Sequence, residues 1–204
     1  MGSFLLRITL LLLCAMPPLA RAQDASEETS GGKTVSQEVQ ENTLRDQIRI
    51  STDRVGILEV VGATGSSTIC KASAFLIAPD RAVSSAQALA GGFGARIRVG
   101  DERREAKVVG LDLLHDVAIL QVDPAFPVEH GIYLQGTELV GNERVAILGT
   151  TSAMEPVAGL GTLTGLAHPK PLGTFASAKN LGQPGLRGAP VLNGQGRVLG
   201  MITS

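Results

Sequence analysis

A glycine-rich turn near the end of the chain is the first place to look for chemistry. Gly185 and Gly188 flank Leu186 and Arg187 in the segment PGLRGAP at 184–190. A turn of this kind can expose one side chain and aim backbone N–H groups at a reacting oxygen. Arg187 stands where that side chain would be, and its guanidinium has no lone pair free to attack and stays protonated at physiological pH. The segment alone therefore predicts no nucleophile.

Hydroxyl and imidazole groups that could serve acyl transfer are scattered along the chain. Acyl transfer needs a hydroxyl nucleophile, an imidazole bonded to it and a carboxylate that orients the imidazole. Three serines are candidates, but none lies in a glycine-rich turn: Ser84, Ser85 and Ser177. Two histidines, His130 and His168, lie in predicted loops. We interpret the serines as small polar residues of strands and loops, and the histidines as surface residues.

The N-terminus has the pattern of a signal peptide. Arg7 precedes an apolar run at 8–16, two prolines end the run, and Ala20-Arg21-Ala22 gives the small-x-small pattern of a cleavage site. The run is shorter than the roughly 20 residues that span a bilayer. We therefore expect residues 1–22 to be removed on export, and we expect no membrane span.

Cysteine usage gives no sign of a disulfide or a metal site. Cys14 lies in the expected leader, which leaves Cys70 as the one cysteine of the mature chain. A single thiol forms no intrachain disulfide and no metal cluster. Flanked by Ile69 and Ala72, Cys70 is interpreted as a small core residue. No motif for a metal, a nucleotide or haem appears, so no cofactor is expected.

A polar segment at 23–50 follows the leader. Residues 24–33 are rich in Ser, Gly and Glu, which is typical of a flexible tether. Val35, Val39 and Leu44 have a loose helical spacing that favours a short helix at 35–47, and a disordered leader is the alternative. One domain is expected from residue 51 to residue 204.

The rest of the chain is divided into short runs typical of β-strands. The runs are β-branched or alternating, and Gly and Pro separate them: 55–61, 73–77, 81–84, 96–99, 105–110, 117–122, 144–148 and 197–202. This pattern predicts an all-β barrel or sandwich. The net charge of −1 and the 3% of aromatic residues, with no Trp, argue against a nucleic-acid surface and against stacking platforms for bases or sugars.

From residue 55 to residue 203 the order of landmarks resembles the trypsin-like serine proteases, specifically the HtrA/Deg branch of the bacterial periplasm. The family's Gly-Ser-Gly-Phe-Ile-Ile strand corresponds to ASAFLI at 72–77, and its Thr-Asn-x-His-Val-Val segment to VSSAQAL at 83–89. Its Asp-Leu-Ala-Val-Leu-Lys-Val segment corresponds to DVAILQV at 116–122, and its Gly-x-x-Val-x-Ala-Ile-Gly to GNERVAILG at 141–149. PGLRGAP resembles its Pro-Gly-Asn-Ser-Gly-Gly-Pro. The resemblance implies a trypsin-like double β-barrel.

The resemblance places degenerate residues at the catalytic positions. Gln87 falls on the general base, Asp116 on the third triad residue and Arg187 on the nucleophile, while Gly185 is a remnant of the oxyanion hole. A carboxamide cannot accept a proton near neutrality, and a guanidinium cannot attack. Leu186 also departs from the pattern, which alters the oxyanion hole. No catalytic residue is therefore expected.

Two further expectations concern the neighbours of Asp116. In an extended segment His115 and Asp116 point to opposite faces, so His115 should not replace the missing base. Arg187 and Asp116 are expected to form an ion pair across the former cleft, which would satisfy a carboxylate in a low-dielectric gap.

The C-terminal strand raises a separate question. The sequence stops at Ser204, where the resembling family continues into another strand, so the second barrel is expected to be incomplete with an open edge. A partner or the chain's own N-terminal segment would cover that edge by strand addition. The other interpretation is that the sequence is a fragment, and the two stay open.

The hypothesis for function is an exported, catalytically inactive trypsin-like homologue located in the periplasm or secreted. It would bind a peptide or an envelope protein in the residual cleft or at the open C-terminal edge, or regulate an active relative. A serine endopeptidase of HtrA type with displaced catalytic groups is the alternative, and a decaying gene product without a selected role is a third interpretation. No nucleic-acid partner is expected.

Overall fold

Two β-rich lobes and one helix make up the described part of the chain. The computed structural model describes residues 7–8, 35–65, 67–136, 139–151, 155–167, 175–179 and 186–203. The elements in chain order are β1 (Arg7–Ile8), α1 (Val35–Ser51), β2 (Val55–Val61), β3 (Thr68–Ala78), β4 (Arg81–Ser84), β5 (Gly94–Val99), β6 (Glu102–Asp112), β7 (Val117–Asp123), β8 (Arg144–Thr150), β9 (Pro156–Ala167), β10 (Phe175–Lys179), β11 (Pro190–Leu192) and β12 (Val198–Thr203). The all-β, two-lobe architecture expected from the sequence is confirmed.

The first lobe is a closed antiparallel barrel with the strand order β2-β3-β4-β7-β6-β5. Alternation along β5 buries Ala95, Ile97 and Val99 in the barrel and turns Arg96 and Arg98 outward, as the period of two in a strand requires. The interior is built from aliphatic side chains, with Leu58, Leu76 and Leu120 among the largest that are fully buried. A chain poor in aromatic residues thus fills its barrel with Val, Leu, Ile and Ala.

Two hairpins of the first barrel end at the same rim. β3 and β4 turn around Pro79-Asp80, as the sequence predicts, and β4 then pairs with β7, so that Ser84 lies opposite Ala118. Because Ser85 to Gln87 follow β4 and Asp116 precedes β7, this antiparallel pairing brings both short segments to one point on the rim.

The second lobe is an open six-stranded sheet with the order β1-β12-β11-β8-β9-β10. Strands β8, β11 and β12 are almost entirely buried. The sequence runs at 144–148 and 197–202 predicted two of these strands, whereas β9, β10 and β11 were not predicted. β9 carries Gly159, Gly161 and Gly165 among small residues, and glycine is depleted in strands generally. Its strand conformation comes from pairing with β8 along seven residues.

A short N-terminal segment covers one edge of the second lobe. Arg7 and Ile8 of β1 pair antiparallel with Thr203 and Ile202 of β12. Both residues lie in the segment 1–22 that the sequence predicts to be removed on export, so this edge of β12 is expected to be uncovered in the mature chain.

The helix α1 is present where the sequence favoured one, and it extends to Ser51 beyond the expected end at 47. Leu44 is 1% exposed and packs at the junction between the lobes, against a cluster that includes Phe75 and Met201. A hydrogen-bonded ion pair joins Arg144 Nη2 to Glu41 Oε1 over 2.6 Å. The helix is therefore docked onto both lobes. No helix in the described ranges is long and apolar enough to cross a membrane.

Candidate functional site

A buried carboxylate lies at the shared rim of the first barrel. Asp116 stands in the turn before β7 with φ of 56° and is only 5% exposed. Its Oδ1 accepts hydrogen bonds from the hydroxyl of Ser85 and from the backbone N–H of Gln87, both over 2.7 Å. Its Oδ2 is buried without a hydrogen-bond partner among the described residues. A buried charged oxygen in this condition is costly, so the site has the character of a functional one.

Ser85 is the residue that holds this corner together. Its side chain is fully buried, donates to Asp116, and accepts the backbone N–H of Ala88 over 3.3 Å. The backbone N–H of Ala86 donates to the Asp116 carbonyl over 3.2 Å, which closes the same corner. No sequence pattern indicates this role, because Ser85 and Asp116 are 31 positions apart and a serine after a strand has no distinctive pattern. Ser85 positions the carboxylate and has no free hydroxyl proton to give up.

Gln87 begins a single 3-10 turn, Gln87–Leu89. Its backbone faces Asp116, while the residue as a whole is exposed to solvent. The carboxamide of Gln87 can donate and accept hydrogen bonds, but it cannot take up a proton as a general base does. The segment is therefore held in position by backbone bonds that do not depend on the side chain of residue 87.

The turn around Arg187 is anchored to the seam between the lobes. Leu186 is buried in the core of the second lobe, and the carbonyl of Arg187 accepts the backbone N–H of Ser73 over 2.7 Å. Gly188 has φ of 83°, and a Cβ there would overlap the carbonyl oxygen of Ser73. Only glycine meets both conditions without strain. This glycine is one of the landmarks of the PGLRGAP segment, and the geometry explains why the position needs it.

Buried hydroxyls connect this turn to the rim that carries Asp116. Ser84 donates its hydroxyl to the carbonyl of Ser73 over 2.7 Å, and the Ser73 hydroxyl oxygen accepts the backbone N–H of Thr150 over 3.0 Å. Ser73 and Ser84 are both fully buried. We interpret them as structural bonds of the seam, in agreement with the sequence-based interpretation of Ser84 as a non-catalytic residue.

The three positions singled out from the sequence therefore border one region. Gln87 contacts Asp116 directly, and the turn that carries Arg187 reaches them through Ser73 and Ser84. Gly185, His168 and the side chain of Ser177 lie outside the described residues. That positions 87, 116 and 187 line one crevice stays a prediction.

The expected ion pair between Asp116 and Arg187 is wrong. Both residues are described, no ion pair joins them, and Oδ2 of Asp116 has no hydrogen-bond partner. The physical reason lies in the backbone. The donors next to Asp116 in space are the hydroxyl of Ser85 and the N–H of Gln87, whereas the Arg187 backbone is fixed at Ser73 beyond the Ser84 side chain.

His115 is bonded to a different carboxylate. Its Nδ1 lies 2.6 Å from Oδ2 of Asp112, and the backbone N–H groups of Leu114 and His115 donate to Asp112 Oδ1 over 3.0 Å each. The hydrogen bond with the His115 side chain is the main cause that lowers the pKa of the Asp112 carboxyl from its ordinary value. His115 makes no hydrogen bond to Asp116, in line with the expectation that it does not replace the base.

The remaining candidates have structural surroundings. The His130 ring stacks on Tyr133 with the ring centroids 5.7 Å apart, and its carbonyl accepts from Arg54. Cys70 is partly buried against the first barrel core, which agrees with its interpretation as a core residue. Among the described residues, no group of His, Cys, Asp and Glu side chains is arranged to hold a metal ion.

Comparisons with known proteins agree with this geometry. A family model described as a trypsin-like peptidase domain matches residues 72–201. The active form of the protease Rv3671c from M. tuberculosis superposes with a TM-score of 0.67 at 20% identity, covering 92% of this chain and 82% of that one. Deg5 superposes with a TM-score of 0.67 at 19% identity, covering 80% of this chain and 85% of the other.

A third solved structure contains a bound ligand. The HtrA-type protease AlgW with a tripeptide superposes with a TM-score of 0.67 at 16% identity, covering 78% of this chain and 53% of that one. At these identities the similarity establishes the fold alone. A search of curated protein sequences finds no match.

Proposed function

Because the chain belongs to the family of trypsin-like peptidase domains, we propose that it is a catalytically inactive member that binds peptide or protein and does not cut it. The observation that carries the proposal is the Asp116 carboxylate, which accepts hydrogen bonds from Ser85 and from the backbone of Gln87, while its Oδ2 meets no donor in the described part of the chain. In the serine-protease triad the carboxylate accepts a hydrogen bond from the imidazole of the base. A glutamine occupies that sequence position here.

The chemistry of the two other positions supports inactivity. Proteolysis requires the hydroxyl of the nucleophile to lose its proton to a base as it attacks. Gln87 supplies no base, Arg187 supplies no nucleophile, and the neighbouring hydroxyls of Ser84 and Ser85 are buried and donate elsewhere. Losing either the base or the nucleophile of a characterised serine protease costs roughly 10⁶ in turnover. Two such losses leave no measurable activity.

Two places in the fold favour peptide binding. One is the crevice that we expect between Gln87, Asp116 and the turn of Arg187. The other is the edge of β12 that pairs with the backbone of β1. Removal of residues 1–22 would free this edge, and a free strand edge binds extended peptides by strand addition. AlgW, which has the same fold, is described with a tripeptide. The proposed partner is accordingly a peptide or an envelope protein, or an active relative that the chain regulates.

The proposed location follows from residues 1–22, which have the pattern of a signal peptide. We expect export to the periplasm or to the exterior, where an envelope protein would be the natural partner. Sequencing the N-terminus of the protein recovered from the cell envelope tests this part. A start at Gln23 is the expected result, and recovery of the intact leader from the cytoplasm contradicts it.

Binding without cleavage is measured in one experiment. The purified protein is titrated into fluorescein-labelled peptides cut from casein, and anisotropy reports binding while mass spectrometry of the same samples reports cleavage. We expect saturable binding and intact peptides. Gln87→Trp should fold normally, because residue 87 is exposed, and its larger side chain should block the crevice and weaken binding there. Binding at the β12 edge should not change. Cleaved peptides, or no binding to any peptide, would contradict the proposal.

A further inference from the structure

A second cavity lies away from the crevice, where the end of α1, one end of the first barrel and the start of the β8–β9 connection meet. Its volume is about 660 Å³, which falls within the roughly 300–1,000 Å³ typical of pockets for small organic molecules. Apolar side chains form much of its wall: Val55, Ile57, Val99, Phe126 and Val128. All but Val128 are buried in the protein. The wall suits an apolar ligand.

One cation in this wall lacks a counter-charge. Arg98 projects from the outer face of β5, and its Nε is buried without a hydrogen-bond acceptor among the described residues. Arg103 lies directly opposite on β6, and like charges across a ladder destabilise each other. Arg103 is neutralised by an ion pair with Glu59. Arg98 forms no ion pair with any residue that the structure describes.

The other charged groups of the wall already have partners. Asp53 pairs with Arg54 over 3.2 Å, and Glu102 pairs with Arg104. Arg49 lies 3.6 Å from Asp46 on the same helix. Both carboxylates of the wall are therefore in ion pairs with other arginines, and the Arg98 guanidinium is the charge of the wall that has no counter-charge among the described residues.

We propose that this cavity, the Arg98 pocket, binds a small amphipathic carboxylate of the class of medium-chain fatty acids. The carboxylate accepts hydrogen bonds from the guanidinium of Arg98, which lines the cavity. The alkyl chain lies on the apolar wall formed by residues such as Ile57 and Phe126. The arrangement gives the Arg98 charge a counter-charge, and it places apolar surface of the ligand against apolar surface of the protein.

The position of the pocket means that a bound ligand would stabilise the fold. Its lining comes from α1, from the first barrel and from Thr150 and Pro156 of the second lobe. Thr150 also bonds to Ser73 in the seam between the lobes. A ligand that contacts all three parts in the folded state raises the midpoint of thermal unfolding, and the midpoint rises with the logarithm of ligand concentration above the dissociation constant. This role is independent of peptide binding in the crevice.

Three ligands of one chain length test the proposal on the unaltered protein. Decanoate, decanol and decylamine are titrated separately by calorimetry below the concentrations at which they form micelles. We expect decanoate to bind about tenfold more tightly than decanol, because a carboxylate forms charge-assisted hydrogen bonds with the guanidinium and an alcohol does not. Decylamine should bind most weakly. Equal affinities, or no binding of decanoate, would overturn the proposal.

Two matched variants test whether the charge of Arg98 binds the carboxylate. Arg98→Gln should lower the affinity for decanoate about tenfold and leave that for decanol unchanged. Arg96→Gln is the control, because Arg96 projects from the same strand but pairs with Glu105 over 2.6 Å. It should bind decanoate as the unaltered protein does. Undiminished binding by a folded Arg98→Gln variant contradicts the proposal, and if that variant does not fold, the three-ligand comparison decides alone.

Discussion

The backbone N–H of Gln87 donates to Oδ1 of Asp116 over 2.7 Å, while Oδ2 of the same carboxylate meets no donor among the described residues. The bonds that position the Asp116 carboxylate are thus formed by the backbone of residue 87 and by Ser85, and they do not require a histidine side chain. A glutamine at position 87 is therefore compatible with an intact rim. This relationship explains how the fold can keep its architecture with the proposed loss of chemistry.

Replacing Asp116 tests how much the fold depends on this carboxylate. Asp116→Ala removes the acceptor of two buried donors, so we expect the free energy of unfolding to fall by about 2 kcal/mol or more. Asp116→Asn should cost less, because its carbonyl oxygen still accepts both donors and a buried charge is removed. Urea unfolding followed by circular dichroism measures both. An alanine variant as stable as the unaltered protein would mean that these two bonds are not formed.

Gly188 should be among the glycines least tolerant of substitution. Gly188→Ala combines a φ of 83° with an overlap between the new Cβ and the Ser73 carbonyl, so we expect a loss of about 3 kcal/mol or more in stability. Gly194→Ala is the matched control, because no atom lies within 4 Å of the Cβ position there. That control should change the unfolding midpoint little, and equal effects of the two substitutions would contradict the description of the turn.

Leu44 should contribute most of the docking energy of α1. Its side chain is fully buried at the junction of the lobes, and Leu44→Ala is expected to cost about 2–5 kcal/mol. Val39 on the same helix is 59% exposed, so Val39→Ala should have little effect. Thermal unfolding of the two variants gives the comparison. If Leu44→Ala unfolds at the same temperature as Val39→Ala, the helix is not docked as described.

The bond between His115 and Asp112 predicts a pH dependence of stability. The His115 side chain holds the pKa of the Asp112 carboxyl below its ordinary value of 3.8. A carboxyl with a lowered pKa in the folded state stabilises the fold above 3.8 and loses this contribution as the pH falls through the folded value. His115→Ala should therefore be less stable than the unaltered protein at pH 5. The difference should shrink as the pH is lowered below 3.8, which a series of unfolding curves measures, and a difference that grows with acidity would contradict the assignment.

Much of the fold could be predicted because its strands have a strong local pattern. The run at 55–61 became β2 with the predicted bounds, and the Pro79-Asp80 turn joins β3 to β4 as expected. β9 was missed because its glycines and small residues have weak strand preference on their own. Its conformation depends on a partner strand, which no local window contains.

The site could be located from the order of landmarks, but its bonds could not be predicted. Gln87 lies close to Asp116 because Gln87 follows β4, Asp116 precedes β7, and these two strands pair. The prediction of an ion pair between Asp116 and Arg187 was wrong, because opposite charges on neighbouring segments do not determine the backbone positions from which the two side chains extend. Ser85 was missed as an anchor, because its hydrogen bond to Asp116 joins residues that are neighbours only in the folded chain.

Restoring the two proposed catalytic side chains should restore little activity. In the double variant Gln87→His with Arg187→Ser, the histidine would face Asp116 and the serine would stand in the former arginine turn. Leu186 and Ala189 still depart from the family's pattern next to that turn, and both are buried in the second lobe. We expect turnover of a fluorogenic peptide by this variant to stay near the background. Robust turnover would show that the rest of the catalytic geometry is intact.

The most direct test of inactivity is the hydrolysis of a fluorogenic peptide by the unaltered protein, measured beside the Asp116→Asn variant. In an active triad this substitution reduces turnover by about 10⁴, while here no imidazole of the described residues is bonded to the carboxylate. Our account predicts that both proteins give the rate of the buffer alone. Turnover that persists through purification of the unaltered protein and disappears in the folded Asp116→Asn variant would contradict it.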